Sequence, residues 1–229
     1  GLKVSSIGMG IMRLKEPAVL FKALEMGINL FDTAHEYQNG NNERLLGKVL
    51  KEFGRDKALV MTKIFPCEMP IPGQEKRPML DGKKLDEMMD ESLKRLQSDY
   101  VDILLAQNIL DPNWLQNETL LAFLERLKKS GKARIVGVGL HDPRCYVPAV
   151  DAIIATKGVD VLLAWYNYKS PPNHVEALKR AAKADLGVIA MKTQVGGYNQ
   201  GEAATLSPHQ AALRSVLDQD FITTAIPGM

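Results

Sequence analysis

The sequence predicts an α/β protein, a single (β/α)8 barrel of the TIM type over residues 1–229. Three observations predict it. Short apolar, β-branched runs recur eight times. Helical patterns fill the seven intervals between them. No Gly-x-Gly-x-x-Gly follows the first run, which disfavours the competing open, doubly wound sheet.

The runs begin with "VSSIGMG" at Val4, "NLFDTA" at Asn29 and "ALVMTK" at Ala58. Each is nearly continuous in apolar character, which suits strands buried on both faces of a parallel sheet. Beyond the third run, Leu85, Met88, Met89, Leu93 and Leu96 repeat at helical spacing. That stripe reads as core rather than as a binding surface. "VDILLAQ" at Val101 is the fourth run. Asn117 then caps "ETLLAFLERLKKSG", which ends in lysines and Gly131. "ARIVGVGL" at Ala133, "VDVLLAWYN" at Val159 and "GVIAMKT" at Gly187 continue the series. "SPHQ" at Ser207 offers a Ser N-cap, a Pro at the first helical position and a Gln three residues on. "ITTAIPG" at Ile222 is the last run. Loops rich in Gly, Pro and polar residues follow the third and seventh runs, from Pro66 and from Gln194. In a barrel they would lie over the C-terminal mouth, where barrel enzymes keep their sites.

Hydrophobic residues make up 45% and charged residues 24%, an ordinary soluble profile. The formal net charge of +2 is spread out, so neither nucleic acid nor an anionic membrane is expected as a partner. No apolar run reaches the ~18 residues of a membrane-spanning helix. Cys67 and Cys145 give no disulfide framework, and no paired-His spacing supports a metal. The chain starts at Gly1 and stops at "IPGM" straight after an apolar run. We therefore expect trimmed termini, with the eighth helix of the barrel absent from these residues. That helix would cover the apolar outer side of strands eight and one.

Strand ends gather the candidate chemistry. Asp32 ends the second strand, Tyr37 lies just beyond it and Lys63 ends the third. A carboxylate can fix the ammonium, and a nearby cation lowers a phenol's pKa from about 10. The phenol could then give a proton to a substrate oxygen. The same residues also have bland roles: a turn cap, a snorkelling lysine and a packed ring. His35 and His141 both fall where they could face the mouth and contact substrate. Lys192 in "AMKT" could bind phosphate, pair with a carboxylate or form a Schiff base. Gly196 and Gly197 would let backbone N–H groups approach an anion. Cys67, after the third strand, could be exposed.

These motifs resemble the aldo-keto reductases over nearly the whole length. "GINLFDTAHEY" (Gly27 to Tyr37), "NERLLGKVLK" and "VMTK" ending in Lys63 carry the resemblance. "LKRLQSDYVDILL", "GKARIVGVGLHD", "LGVIAMKT" and "AALRSVLDQDFITTAIPGM" extend it. "YNYKSP" and "AMKT" look like a bacterial branch, some of whose members are exported already folded. The resemblance implies that Tyr37 protonates a carbonyl oxygen, tuned by Lys63 and Asp32, while NADPH delivers hydride. Departures are visible. Gln107 stands where the family has a His at the end of strand four. Gly139 and Leu140 align with the family's Ser-Asn pair that holds the nicotinamide carboxamide. Leu163 aligns with a Gln of the same duty, and Met191 with the aromatic that stacks on the nicotinamide. Lys192 and Thr193, at the end of strand seven, are also expected on the cofactor side.

Two function classes follow. One is NADPH-dependent reduction of a small aldehyde or ketone, with Gln107 holding the carbonyl oxygen through its amide. The other is a non-catalytic or weakly catalytic nucleotide-binding barrel with a regulatory or redox-sensing role. A lysine-dependent lyase is a third, lesser option. A cytoplasmic location is expected, or export in folded form after loss of a signal. The oligomeric state is left open.

Overall fold

Eight strands lie side by side in chain order, each parallel to the next. They are β1 (Met9–Gly10), β2 (Leu30–Asp32), β3 (Leu59–Ile64), β4 (Val101–Gln107), β5 (Ala133–Leu140), β6 (Val161–Trp165), β7 (Gly187–Met191) and β8 (Thr224–Ile226). The computed structural model describes residues 1–68, 78–107, 109, 111–141, 143–194 and 206–228. Single parallel bridges, Ile7 to Ala225 and Gly10 to Gly228, join β8 back to β1. Between the strands run α1 (Pro17–Glu25), α2 (Asn41–Phe53), α3 (Gly82–Leu96), α4 (Glu118–Ser130), α5 (Tyr146–Ala155), α6 (Pro172–Lys183) and α7 (Pro208–Leu217). The architecture is a (β/α)8 barrel. Among the described residues no helix follows β8.

The near-continuous apolar runs have a simple cause. Along each strand, alternate side chains face opposite ways. Leu30, Met61, Ile103, Leu105, Leu163, Ile189 and Ile226 fill the barrel interior. Phe31, Val60, Leu104, Val138, Leu162 and Val188 face outward and bury against the helix layer. Both faces are therefore dry. Where the interior narrows, Gly137 has no alternative, since a Cβ there would collide with Val161.

The helix signals work as the sequence implies. Ser207 and Gln210 form a reciprocal capping box on α7. The Asn117 side chain accepts from the Leu120 N–H at 3.0 Å, and α4 ends at Gly131 with φ +77°. Leu85, Met89, Leu93 and Leu96 are buried core, and Met88 packs against them.

The first run is the exception. Only Met9 and Gly10 form a strand, against a run expected from Val4. Side chains replace the ladder there. Asn29 Oδ1 accepts from the Ser5 N–H at 2.8 Å, and Ser5 Oγ accepts from the Asn29 N–H at 3.1 Å. Thr224 Oγ1 donates to the Ser5 carbonyl at 2.8 Å. Cys67 is another difference: it is buried, not exposed.

Candidate active site at the barrel mouth

The site begins with register. Asp32 is the last residue of β2 and pairs with Met61, so Lys63 stands two residues higher on β3. Both side chains take the inward parity of Leu30 and Met61. After β2 the chain keeps following β3: Thr33 N–H donates to the Met61 carbonyl at 2.9 Å, and His35 N–H to the Lys63 carbonyl at 3.0 Å. It then turns sharply through a short 3-10 segment, Tyr37–Gly40. Gln38 and Asn39 both adopt left-handed backbone, with φ +51° and +55°. Such conformations are costly for non-glycine residues and persist only when held. Here Gln38 Nε2 donates to the carbonyls of Met12 and Leu14, at 2.9 and 3.1 Å. The Asn42 side chain ties Thr33 Oγ1 to the Ile11 carbonyl. The turn that carries Tyr37 is thus fixed from both sides.

Three of the candidates meet. Lys63 is 1% exposed, and its ammonium forms an ion pair with Asp32. It also donates to the Thr33 carbonyl at 2.7 Å and reaches the Tyr37 hydroxyl at 3.5 Å. The same ammonium lies 4.9 Å from the centre of the Tyr37 ring. Burial raises the Asp32 carboxyl above its ordinary value, against the pull of Lys63. The Tyr37 phenol is corrected here. Lys63 lowers it as expected, but burial outweighs that effect and Asp32 raises it further. The net shift is upward, so the free site holds Tyr37 protonated.

Gln107 closes the mouth on the next strand. It is 3% exposed, and its amide Nε2 makes a close hydrogen bond with His141 Nε2. Its Oε1 is buried and has no partner among the described residues. Gly139, the register partner of Gln107, leaves the room; a Cβ there would strike Oε1. Burial, then the ammonium groups of Lys192 and Lys63, push the His141 imidazole down to about 4. Its ring is therefore neutral near pH 7.

The remaining assignments divide. Met191 tops the interior cluster at the end of β7. Lys192 follows with left-handed φ of +52° and an exposed side chain. Thr193 is wholly buried, and its Oγ1 lacks a partner among the described residues. Three expectations fail. His35 does not face the mouth: its Nδ1 bonds Ser92 Oγ at 3.0 Å, and Arg95 and Glu91 enclose the ring. The odd parity after β2 turns it onto α3. Leu140 points outward into the helix layer, because strand alternation sends it the other way from Gly139. Leu163 is fully enclosed in the barrel interior, in register with Gly139. Neither leucine side chain is exposed at the mouth. Gly196 and Gly197 lie outside the described residues.

Two features carry more than the sequence suggests. Glu36, beside Tyr37, has a buried Oε2 with no partner among the described residues. Burial chiefly lifts its carboxyl to about 7; backbone N–H groups of Glu36 and Phe65 pull the other way, as does Lys63, while Glu43 adds to the rise. The sequence offers Glu36 only as a possible metal ligand beside the histidines, with no supporting spacing. The Gln107–His141 contact had a better signal, since a glycine inside a strand often marks a close approach.

Comparison with known proteins bears on the family and the fold. The model for the Aldo/keto reductase family matches residues 7–214. L-galactose dehydrogenase of Arabidopsis thaliana is 33% identical over 184 residues, covering 73% of this chain and 54% of that protein. The chain spans about half the length of the curated relatives it matches. An aldo-keto reductase of Bacillus halodurans, solved in its holo form, superposes with TM-score 0.82 at 22% identity, over 100% of this chain and 83% of that one. An aldo-keto reductase of Klebsiella pneumoniae in complex with NADPH gives 0.76 at 23% identity, over 99% and 81%. These two likenesses concern the fold.

Proposed function

The chain belongs to the aldo/keto reductase family, and from that membership we propose that it reduces a small aldehyde or ketone with NADPH, Tyr37 giving the proton. The observation that carries this reading is the Lys63 ammonium, held by Asp32 and the Thr33 carbonyl and turned toward the Tyr37 hydroxyl. Burial keeps the phenol protonated until substrate arrives. As the proton leaves for the carbonyl oxygen, Lys63 stabilises the phenolate left behind. Asp32 keeps the ammonium in place and balances its charge in a dry site.

A nicotinamide cofactor fits the residues on the other side of the mouth. When bound, it supplies the hydride, and with it the electron pair that the carbonyl carbon accepts. The Oε1 of Gln107 and Oγ1 of Thr193, buried and without partners among the described residues, are polar atoms open to such a group. Met191 offers an apolar surface at the rim, and the Lys192 ammonium suits a phosphate. Gly139 offers backbone only. The Klebsiella pneumoniae neighbour carries NADPH, which favours the phosphorylated cofactor here.

A second reading rests on one observation. The strand-five and strand-six positions that meet the carboxamide in the resemblance carry Gly139, Leu140 and Leu163, none with a polar side chain. That pattern suits a barrel that binds nucleotide and senses it without turnover. Fluorescence titration with NADPH, followed by NADPH oxidation with reactive aldehydes, separates the two. Binding with aldehyde-dependent oxidation supports the reductase. Binding with no oxidation at any aldehyde supports the sensor.

A further inference from the structure

We propose that the cationic cavity between α2 and α3 binds a small anion carrying a diphosphate group. Four cations, Arg44, Lys48, Lys94 and Arg95, line a cavity of about 520 Å³ together with Glu91 and Gln97. None of the candidate residues at the barrel mouth lines it, and the inference stands without the reductase reading. The α2 and α3 backbones meet beside it: a Cβ on Gly47 would lie 2.6 Å from the Leu96 carbonyl group. That approach sets Arg44 and Lys48, one turn apart on a single face of α2, against the last turn of α3.

The unmatched charge carries the argument. On α4 each lysine and arginine has a carboxylate partner: Arg126 with Asp86, Lys128 with Asp160 and Lys129 with Glu125. Arg44, Lys48 and Lys94 form no ion pair among the described residues. Arg44 makes only long contacts, 3.4 Å to the Asn39 carbonyl and 3.3 Å to Asn41 Oδ1. It is the fourth residue of α2, close to the end where the helix dipole favours an anion, and it repels Lys48 at i, i+4. The dipole accounts for Lys94 and Arg95 in the last turn of α3, but not for the α2 pair. Arg95 is the fixed member of the four. Its side chain is 17% exposed, and its guanidinium is held by the buried Glu43 at 3.4 Å, by Glu91 at 3.0 Å and by the His35 carbonyl at 3.0 Å. Glu91, the carboxylate on the cavity wall, is thereby already engaged. Three cations are left without a counter-charge, which matches a diphosphate better than a single phosphate of about two negative charges. Gln97 adds neutral amide donors. A confined cavity, in a chain of formal net charge +2, suits a small anion rather than a nucleic acid.

The test is calorimetric titration of the full chain with inorganic pyrophosphate, without divalent cations, in ~0.15 M sodium chloride, where charges more than ~8 Å apart are largely screened. Saturable binding of one pyrophosphate per chain is expected. Lys48→Gln and Lys94→Gln should each weaken it about fivefold, the scale of one charge lost at contact distance in water, and the double variant well over tenfold. Both side chains are exposed, so the fold should be unaffected. ADP in place of pyrophosphate separates the two sources of a diphosphate. Tighter binding of ADP, weakened by the same variants, assigns the cavity to a nucleotide; equal or weaker binding assigns it to the free diphosphate. Absence of saturable binding at millimolar pyrophosphate overturns the inference. An affinity unchanged in the double variant overturns it too. So does a loss in Lys192→Gln that Lys48→Gln does not reproduce, since that would put the anion at the barrel mouth. None of these outcomes bears on the reductase reading, which aldehyde turnover tests.

Discussion

The two halves of the barrel mouth are built differently. On the β2–β3 side, Lys63 is met by a carboxylate, a carbonyl and a hydroxyl. The loop that brings Tyr37 is tied to the segment after β1 by Gln38 and Asn42. On the β5–β7 side the strand ends carry Gly139, Leu140, Leu163 and Met191. Polar atoms beside them, Gln107 Oε1 at the end of β4 and Thr193 Oγ1 after β7, wait without partners among the described residues. On the proposed reading, the difference puts proton donation and cofactor grip on separate strands. A chain can keep the first, pre-organised and dry, while the second passes from side chains to backbone.

The comparison breaks first at Lys63. Lys63→Met leaves Asp32 buried without its cation, which costs about 3–5 kcal/mol for a dismantled buried pair. Urea unfolding should read that loss, and the pH–rate profile should move to higher pH as Tyr37 loses the lowering influence of the ammonium. A variant as stable as the parent would mean that the β2–β3 side is not the rigid half.

Gly139→Ala sharpens the other side. The new Cβ must push Gln107 Oε1, a flexible chain end in a site with little free space. The fold should survive. The contact with His141 should not, and turnover should fall by the ~1–3 kcal/mol of an unmade buried hydrogen bond, roughly tenfold or more. Full activity would show that the glycine is there for another reason.

Glu36 gives the clearest sign. Its carboxyl is raised from 4.5 to about 7 in the folded chain. Between those values the folded state holds a proton that the unfolded state has lost, so stability falls as pH rises through the window. Glu36→Gln should flatten that part of the curve and gain stability at pH 8 relative to the parent. His141, lowered from 6.5 to about 4, slopes the other way: its contribution is complete above 6.5 and is lost as pH falls toward 4. Denaturant midpoints at several pH values separate the two.

Much of the fold was legible because both of its faces are dry. Runs such as "VDILLAQ" show no alternation, which points directly to a parallel barrel. The first strand was overread because apolar residues do not reveal that Ser5, Asn29 and Thr224 side chains replace its ladder. In the site, Asp32, Tyr37 and Lys63 could be read from strand ends and spacing. His35 could not, since one residue of parity decides between mouth and helix layer. The upward shift of Tyr37 was hidden for another reason: a sequence names the neighbouring charge but not the depth of burial that outweighs it. Glu36 was hidden in the same way.

The account rests most directly on the Tyr37 hydroxyl. Tyr37→Phe removes one oxygen from a ring whose placement the turn already fixes. NADPH oxidation with an aldehyde that the parent reduces should then fall by ~10²–10⁴-fold, while the NADPH titration stays that of the parent. Retention of full turnover by Tyr37→Phe, with the cofactor still bound, would contradict the assignment of Tyr37 as the proton donor.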